Sequence, residues 1–150
     1  MHSRIFQVSN KSIAEENFIK ESRYDEETKF DYVVTSKIAE DLKWLSSVKG
    51  LEIDVEARTI TLVSKEDYFK RKYYNFLKLI EELHGASLNE FANDSLRFKI
   101  YELKQTYEDT TGFYIDDNGE EFGLVTLDEW VREVEEGRVA HVGQTFDYHF

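Results

Sequence analysis

The 150 residues include no cysteine, no proline and a single methionine. Without cysteine there is no disulfide framework, thiol nucleophile or thiolate zinc site, so thiol chemistry is excluded while the compartment is left open. Without proline the usual mark of a linker is missing, and no repeat or low-complexity tract marks a second domain. All seven glycines are isolated, which excludes a glycine-rich phosphate loop; neither G-x-S-x-G nor H-E-x-x-H occurs. No apolar run approaches the ~20 residues of a membrane span, and the opening MHSRIFQVSN lacks the apolar core of a signal peptide. The expectation is one cytoplasmic domain, large enough to bury roughly two-thirds of its unfolded surface.

Aromatic and acidic residues are plentiful. Nine Tyr, eleven Phe and two Trp exclude the disordered class, which is poor in both aromatics and hydrophobics. The formal charge is −12, and it is not evenly spread: Glu102 to Glu136 holds twelve acids against Lys104 and Arg132 alone, so this segment carries −10. Acidity gathered into one segment steers basic partners and repels nucleic acid and anionic membranes.

Periodicity predicts an α+β domain with a mostly antiparallel sheet built from hairpins and three to four amphipathic helices. Arg4 to Val8 has strand composition. Residues 10 to 31 are polar and are expected to be loosely ordered, with Ser12 and Glu15 spaced as a capping box. A helix fits Lys37 to Ser47, followed by a hairpin of Leu51 to Val55 and Thr59 to Val63 that turns near Glu56 to Arg58. Ser64 opens the clearest helix, where Phe69, Tyr73, Phe76, Leu77, Ile80 and Leu83 form one stripe ending at Gly85. Ser87 and Glu90 form a second capping box; beyond it Leu96, Phe98 and Ile100 alternate as in a strand while Leu88, Phe91, Leu96 and Leu103 also fit a long helix, and of the two a strand after a short helix is the expectation. Gly112 to Ile115 and Phe122 to Val125 read as a hairpin with Asp116-Asp117-Asn118-Gly119 at its tip. Thr126 and Glu129 cap a helix with Trp130 in its apolar stripe. In the tail, Ala140, Val142, Phe146, Tyr148 and Phe150 share one parity, which predicts a half-buried strand.

Candidate chemistry is sparse. Asp147 and His149 lie two apart on the tail strand, about 7 Å from each other, while His141 is roughly 20 Å away along an extended chain. Two ligands do not make a catalytic metal site, so no metal and no cofactor is expected. Asp116 to Gly119 fails as a calcium loop, because aligning Gly119 with the turn glycine puts Tyr114 and Val125 at ligand positions. Lys70-Arg71-Lys72, with Lys65, Lys78 and Tyr74, offers contacts for a phosphate backbone, but the bases scatter around a polar helix face beside Glu81 and Glu82. Trp44 and Trp130 flank or join apolar stripes and are expected in the core.

The acidic segment therefore carries the functional expectation. Glu135 and Glu136 sit at the predicted C-terminal end of the Thr126-capped helix, where the helix dipole disfavours anions by ~0.3 to 1 kcal/mol each. Asp116, Asp117, Glu120, Glu121, Asp128, Glu129, Glu133, Glu135 and Glu136 are expected to form a partner-binding anionic surface with no catalytic residue. The expected protein is a non-enzymatic acidic binder that occupies a basic protein groove, with an inhibitor mimicking nucleic acid, of anti-restriction or anti-CRISPR type, as its sharper form. It would bind neither nucleic acid nor membrane directly. The alternatives are an interaction module recognised through aromatics and a small metal-dependent hydrolase.

Overall fold

The computed structural model describes residues 2–117 and 123–150. Seven strands among them form one mixed sheet: β1 (His2–Ser9), β2 (Tyr32–Thr35), β3 (Leu51–Asp54), β4 (Thr59–Leu62), β5 (Tyr114–Asp117), β6 (Gly123–Thr126) and β7 (Val139–His149). The order is β3-β4-β7-β1-β5-β6, with β2 alongside the other end of β7. Only β1 and β5 pair in parallel; the remaining pairs are antiparallel. The α-helices are α1 (Ile38–Leu45), α2 (Lys65–His84), α3 (Leu88–Phe91), α4 (Arg97–Tyr107) and α5 (Leu127–Glu133). The domain is α+β, as expected.

Local chemistry sets most element boundaries. The Ser64 hydroxyl accepts the Asp67 amide at 3.1 Å and starts α2. Both halves of the Ser87–Glu90 capping box form at α3, and the Thr126 hydroxyl accepts the Glu129 amide at 3.1 Å at α5. Each bond satisfies a donor that a helix start leaves without an intrahelical partner. Ser12 plays no such part: its hydroxyl lies 3.5 Å from His141 Nδ1, and the first helical turn is a 3-10 turn at Glu15–Asn17 capped from Ala14.

The tail strand forms, but its side chains of one parity do not share one face. β7 is central, and its pairing with β1 jumps from Phe6↔Thr145 to Val8↔Val142. Two residues of β1 are thus spanned by three of β7, a bulge that reverses which face the side chains take. Ala140 and Val142 join the core with Phe6, Leu42, Ile60 and Trp130, whereas Phe146 and Tyr148 join the opposite core with Ile5, Tyr24 and Tyr114. Gln7 stands at the bulge. Its Oε1 accepts the amides of Gln144 at 2.9 Å and Ile19 at 3.2 Å, and its Nε2 donates to the Asn17 carbonyl at 3.1 Å. One buried amide thereby fixes the bulge and fastens the polar segment 10–31 to the sheet. Tyr24 and Phe30 of that segment are core residues, so it packs instead of lying loose.

Residues 97–107 are helical, which corrects the predicted strand. α4 packs along α2, and Lys99, Leu103 and Thr106, partly buried at helical spacing, face it. The alternation of Leu96, Phe98 and Ile100 has no strand to pair with, and Phe98 and Ile100 are exposed. α2, α3 and α4 make a helical arm. No helix among the described residues is long and apolar enough to cross a membrane.

Candidate functional site: a helical arm and a divided acidic segment

The structure splits the nine acids proposed as one surface. Asp116 is fully buried on β5, where its carboxylate accepts Arg23 Nε at 2.5 Å, Arg23 Nη2 at 2.8 Å and the Tyr24 hydroxyl at 3.0 Å. Asp117 is equally buried and accepts Arg138 Nη2 at 3.0 Å. Asp128 is buried at the start of α5, bonded to the Tyr68 hydroxyl at 2.7 Å, to Lys72 Nζ, and through Oδ2 to the Asp109 amide at 2.5 Å. These three are internal ion pairs and not members of an accessible anionic patch. Burying a carboxylate is costly unless a cation and hydrogen bonds hold it, and here the cations come from outside the acidic segment.

Glu136 has a structural duty as well. α5 ends at Glu133, and Val134 is already extended, so Glu135 and Glu136 lie beyond the helix and escape the predicted dipole penalty. Glu136 Oε1 instead accepts the Lys65 amide at 2.9 Å, placing an anion at the N-terminus of α2, where the dipole favours it. Glu129, Glu133 and Glu135 are exposed with no cation partner among the described residues. Of the predicted hairpin tip, Asp116 and Asp117 belong to strand β5 and pair with Leu124 and Gly123 instead of turning; Asn118 and Gly119, like Glu120 and Glu121, lie outside the described residues.

The feature that sequence reasoning missed is the apolar surface of the arm. Fifteen large hydrophobic side chains are exposed among the described residues, and ten of them fall between Tyr73 and Tyr107. Tyr73, Leu77 and Ile80 recur at helical spacing on α2. Phe69, Tyr73 and Phe76 share a cleft with Thr106, Tyr107 and Arg132, which sets this flank of α2 beside the flank of α4 that carries Ile100 and Tyr107. Tyr73 and Tyr107 are 55% and 57% exposed. At the tip, Leu88 and Phe91 reach 83% and 77%. Contiguous apolar surface of this kind on a folded domain marks an interaction site. The stripe from Phe69 to Leu83 was legible, but what covers it was not, because residues 97–107 were expected as a strand and form instead the helix α4 that packs along α2.

The arm is anchored at its base. The buried Asp128 ties Tyr68 and Lys72 of α2 to α5, and burial pushes the Tyr68 hydroxyl well above its ordinary pKa, reinforced by the Asp128 charge. The Arg132 guanidinium lies 3.9 Å from the Tyr107 ring centroid and 4.4 Å from that of Phe69, and it donates to the Tyr107 carbonyl. Trp130 is fully buried as predicted. Trp44 is 44% exposed, not a core residue, and is held between Arg4, 5.0 Å above its ring, and Phe113.

The tail histidine also finds company. His149 Nδ1 lies 2.8 Å from Asp31 Oδ2, and His2 Nδ1 lies 3.2 Å from Asp147 Oδ1, so Asp147 and His149 serve different partners. Among the described residues no group of three or more His, Cys, Asp or Glu is placed to hold a metal ion.

No protein-family model, curated protein or solved structure matches this chain.

Proposed function

We propose that this chain is a cytoplasmic, non-enzymatic protein-interaction module that engages its partner through the aromatic face of the α2–α4 arm. The exposure of Tyr73, Leu77, Ile80, Ile100 and Tyr107 along one side of a helical pair carries the reading. Aromatic side chains supply contact area at low entropic cost, and a pair of helices presents them on a rigid frame. The partner expected on this chemistry is a protein that offers an apolar helix or groove.

A second reading retains the acidic binder that fills a basic groove, including the mimic of nucleic acid. It is favoured by the exposed, unpaired Glu129, Glu133 and Glu135, although Asp116, Asp117 and Asp128 no longer contribute to it.

Affinity capture from the native host separates the two. The wild-type chain is compared with Leu77→Asp/Ile100→Asp and with Glu129→Lys/Glu133→Lys/Glu135→Lys, each at low and high salt. Under the arm reading the partner survives high salt and is lost only with the arm variant. Loss at high salt and with the glutamate variant, together with competition by DNA or RNA, would replace it with the acidic reading.

A further inference from the structure

We infer that the groove between the Ser46–Gly50 turn and α2 is a binding site for a small phosphorylated molecule of nucleotide size. The groove has a volume of about 820 Å³ and is lined by Ser47, Lys49, Lys70, Arg71, Tyr74 and Asn75, among others. That volume lies within the ~300 to 1,000 Å³ usual for small-molecule sites.

Charge is the first argument. The chain has 31 acids and 19 Lys and Arg, and among the described residues eight of those 19 lie within ion-pair distance of a carboxylate. Lys49, Lys70 and Arg71 have none within ion-pair distance among the described residues, yet they meet around one concavity. Asp67 is the only acid in the lining. Lys72 also borders the groove, but its charge is spent on Asp128.

The two walls are fixed to each other, and this is the second argument. Gly50 has φ +83°, and a Cβ there would lie 2.4 Å from the Ser64 carbonyl oxygen and 2.7 Å from the Tyr68 amide nitrogen. Only glycine permits that approach and that backbone angle. The Gly50 carbonyl accepts the amides of Val63 at 2.8 Å and Ser64 at 3.1 Å. Lys49 is therefore held against the first turns of α2, opposite Lys70 and Arg71. The backbone of this wall is preorganised, while the Lys49, Lys70 and Arg71 side chains are exposed and lose rotamer freedom on closing around an anion.

Size and surroundings select the ligand class. Arg71 offers a planar fork for phosphate oxygens, and Lys49 and Lys70 act as point charges. Tyr74, 57% exposed at the rim, presents a ring face for an aromatic base. The −12 charge of the whole chain opposes a long polyanion, which leaves a short one. The Tyr74 ring centroid lies 5.8 Å from that of Tyr73, so the rim of the groove adjoins the arm surface.

The test is an amide chemical-shift titration of the full chain with ADP, pyrophosphate, adenosine and a single-stranded oligonucleotide. Saturable shifts of the Lys49, Gly50 and Lys70 to Asn75 amides with ADP are expected, and little with adenosine. ADP binding tighter than pyrophosphate gives Tyr74 a stacking role; equal binding assigns recognition to the phosphates alone. Lys49→Ala/Lys70→Ala/Arg71→Ala should weaken ADP by about tenfold or more, whereas Lys11→Ala/Lys20→Ala/Lys104→Ala removes equal charge and should change it by less than about twofold. Absence of saturable shifts, equal losses from the two triple variants, or oligonucleotide binding tighter than ADP would overturn the site.

Discussion

The Glu136 carboxylate, just beyond α5, accepts the backbone amide of Lys65 at the first residue of α2, 2.9 Å away and 71 positions earlier in the chain. The contact ties the acidic segment to the base of the arm and supplements the Ser64 cap. Glu136→Ala should therefore cost ~1 kcal/mol, the size of a lost helix cap, while Glu135→Ala should fall within about 0.5 kcal/mol of wild type. Denaturant unfolding of the two variants measures the difference, and equal values would remove the capping role.

Thr126 and Trp130 make α5 part of the core. The Thr126 hydroxyl accepts the Glu129 amide and donates to Glu108 Oε1 at 2.9 Å, and Trp130 is fully buried beside Leu42 and Ile60. Thr126→Ala should cost ~1 kcal/mol and Trp130→Ala ~3 to 5 kcal/mol. Fluorescence quenching adds a structural check: Trp44 should be accessible to a polar quencher in the native state and Trp130 should not.

Arg23 and Asp116 predict a different kind of loss. Arg23→Leu leaves the buried Asp116 carboxylate without its cation, for a cost near the lower end of ~3 to 5 kcal/mol. The Tyr24 hydroxyl and the partial exposure of Arg23, 41% at its side chain, keep it from the upper end. Lys37→Leu, which breaks the exposed pair with Glu40, should cost no more than ~1 kcal/mol. Similar melting curves for the two variants would show that the Asp116 pair contributes nothing beyond a surface contact.

What the sequence disclosed and what it concealed follow from distance along the chain. α1, α2, α5 and the antiparallel strand pairs β3–β4 and β5–β6 are announced by caps and alternation within a few residues, and all appear, although Asp116 and Asp117 extend β5 instead of forming its turn. The β7 bulge is invisible locally, because it depends on Gln7, far away in sequence. Asp116 and Arg23 are 93 positions apart, and Asp128 and Lys72 are 56 apart, so a count of charges could locate the acidic segment but not the cations that neutralise its buried members. The exposed arm was hidden for the opposite reason: an apolar stripe states that a face avoids water, not whether the same chain covers it.

Buried tyrosines set the alkaline limit of stability. Burial raises the hydroxyl pKa of Tyr24, Tyr68, Tyr114 and Tyr148, with the Asp116 and Asp128 charges adding to the first two; Tyr114 moves from 10.0 to about 12 and the others move further up. In each case the folded chain holds the proton more tightly than the unfolded chain. Their contribution is thus complete below the unfolded value near pH 10 and is lost as pH rises through and beyond the folded values. Tyrosinate absorbance should show these four of the nine tyrosines ionising together with the loss of circular dichroism, not before it. Tyr68→Phe separates the two roles of its hydroxyl. At neutral pH it should destabilise by ~1.5 to 3 kcal/mol, the worth of a hydrogen bond to a charged group. Above pH 10 its stability should fall less steeply than that of the wild type, because one fewer proton is released on unfolding. Ionisation of all nine tyrosines while the dichroism remains native would show that these hydroxyls are not buried as described.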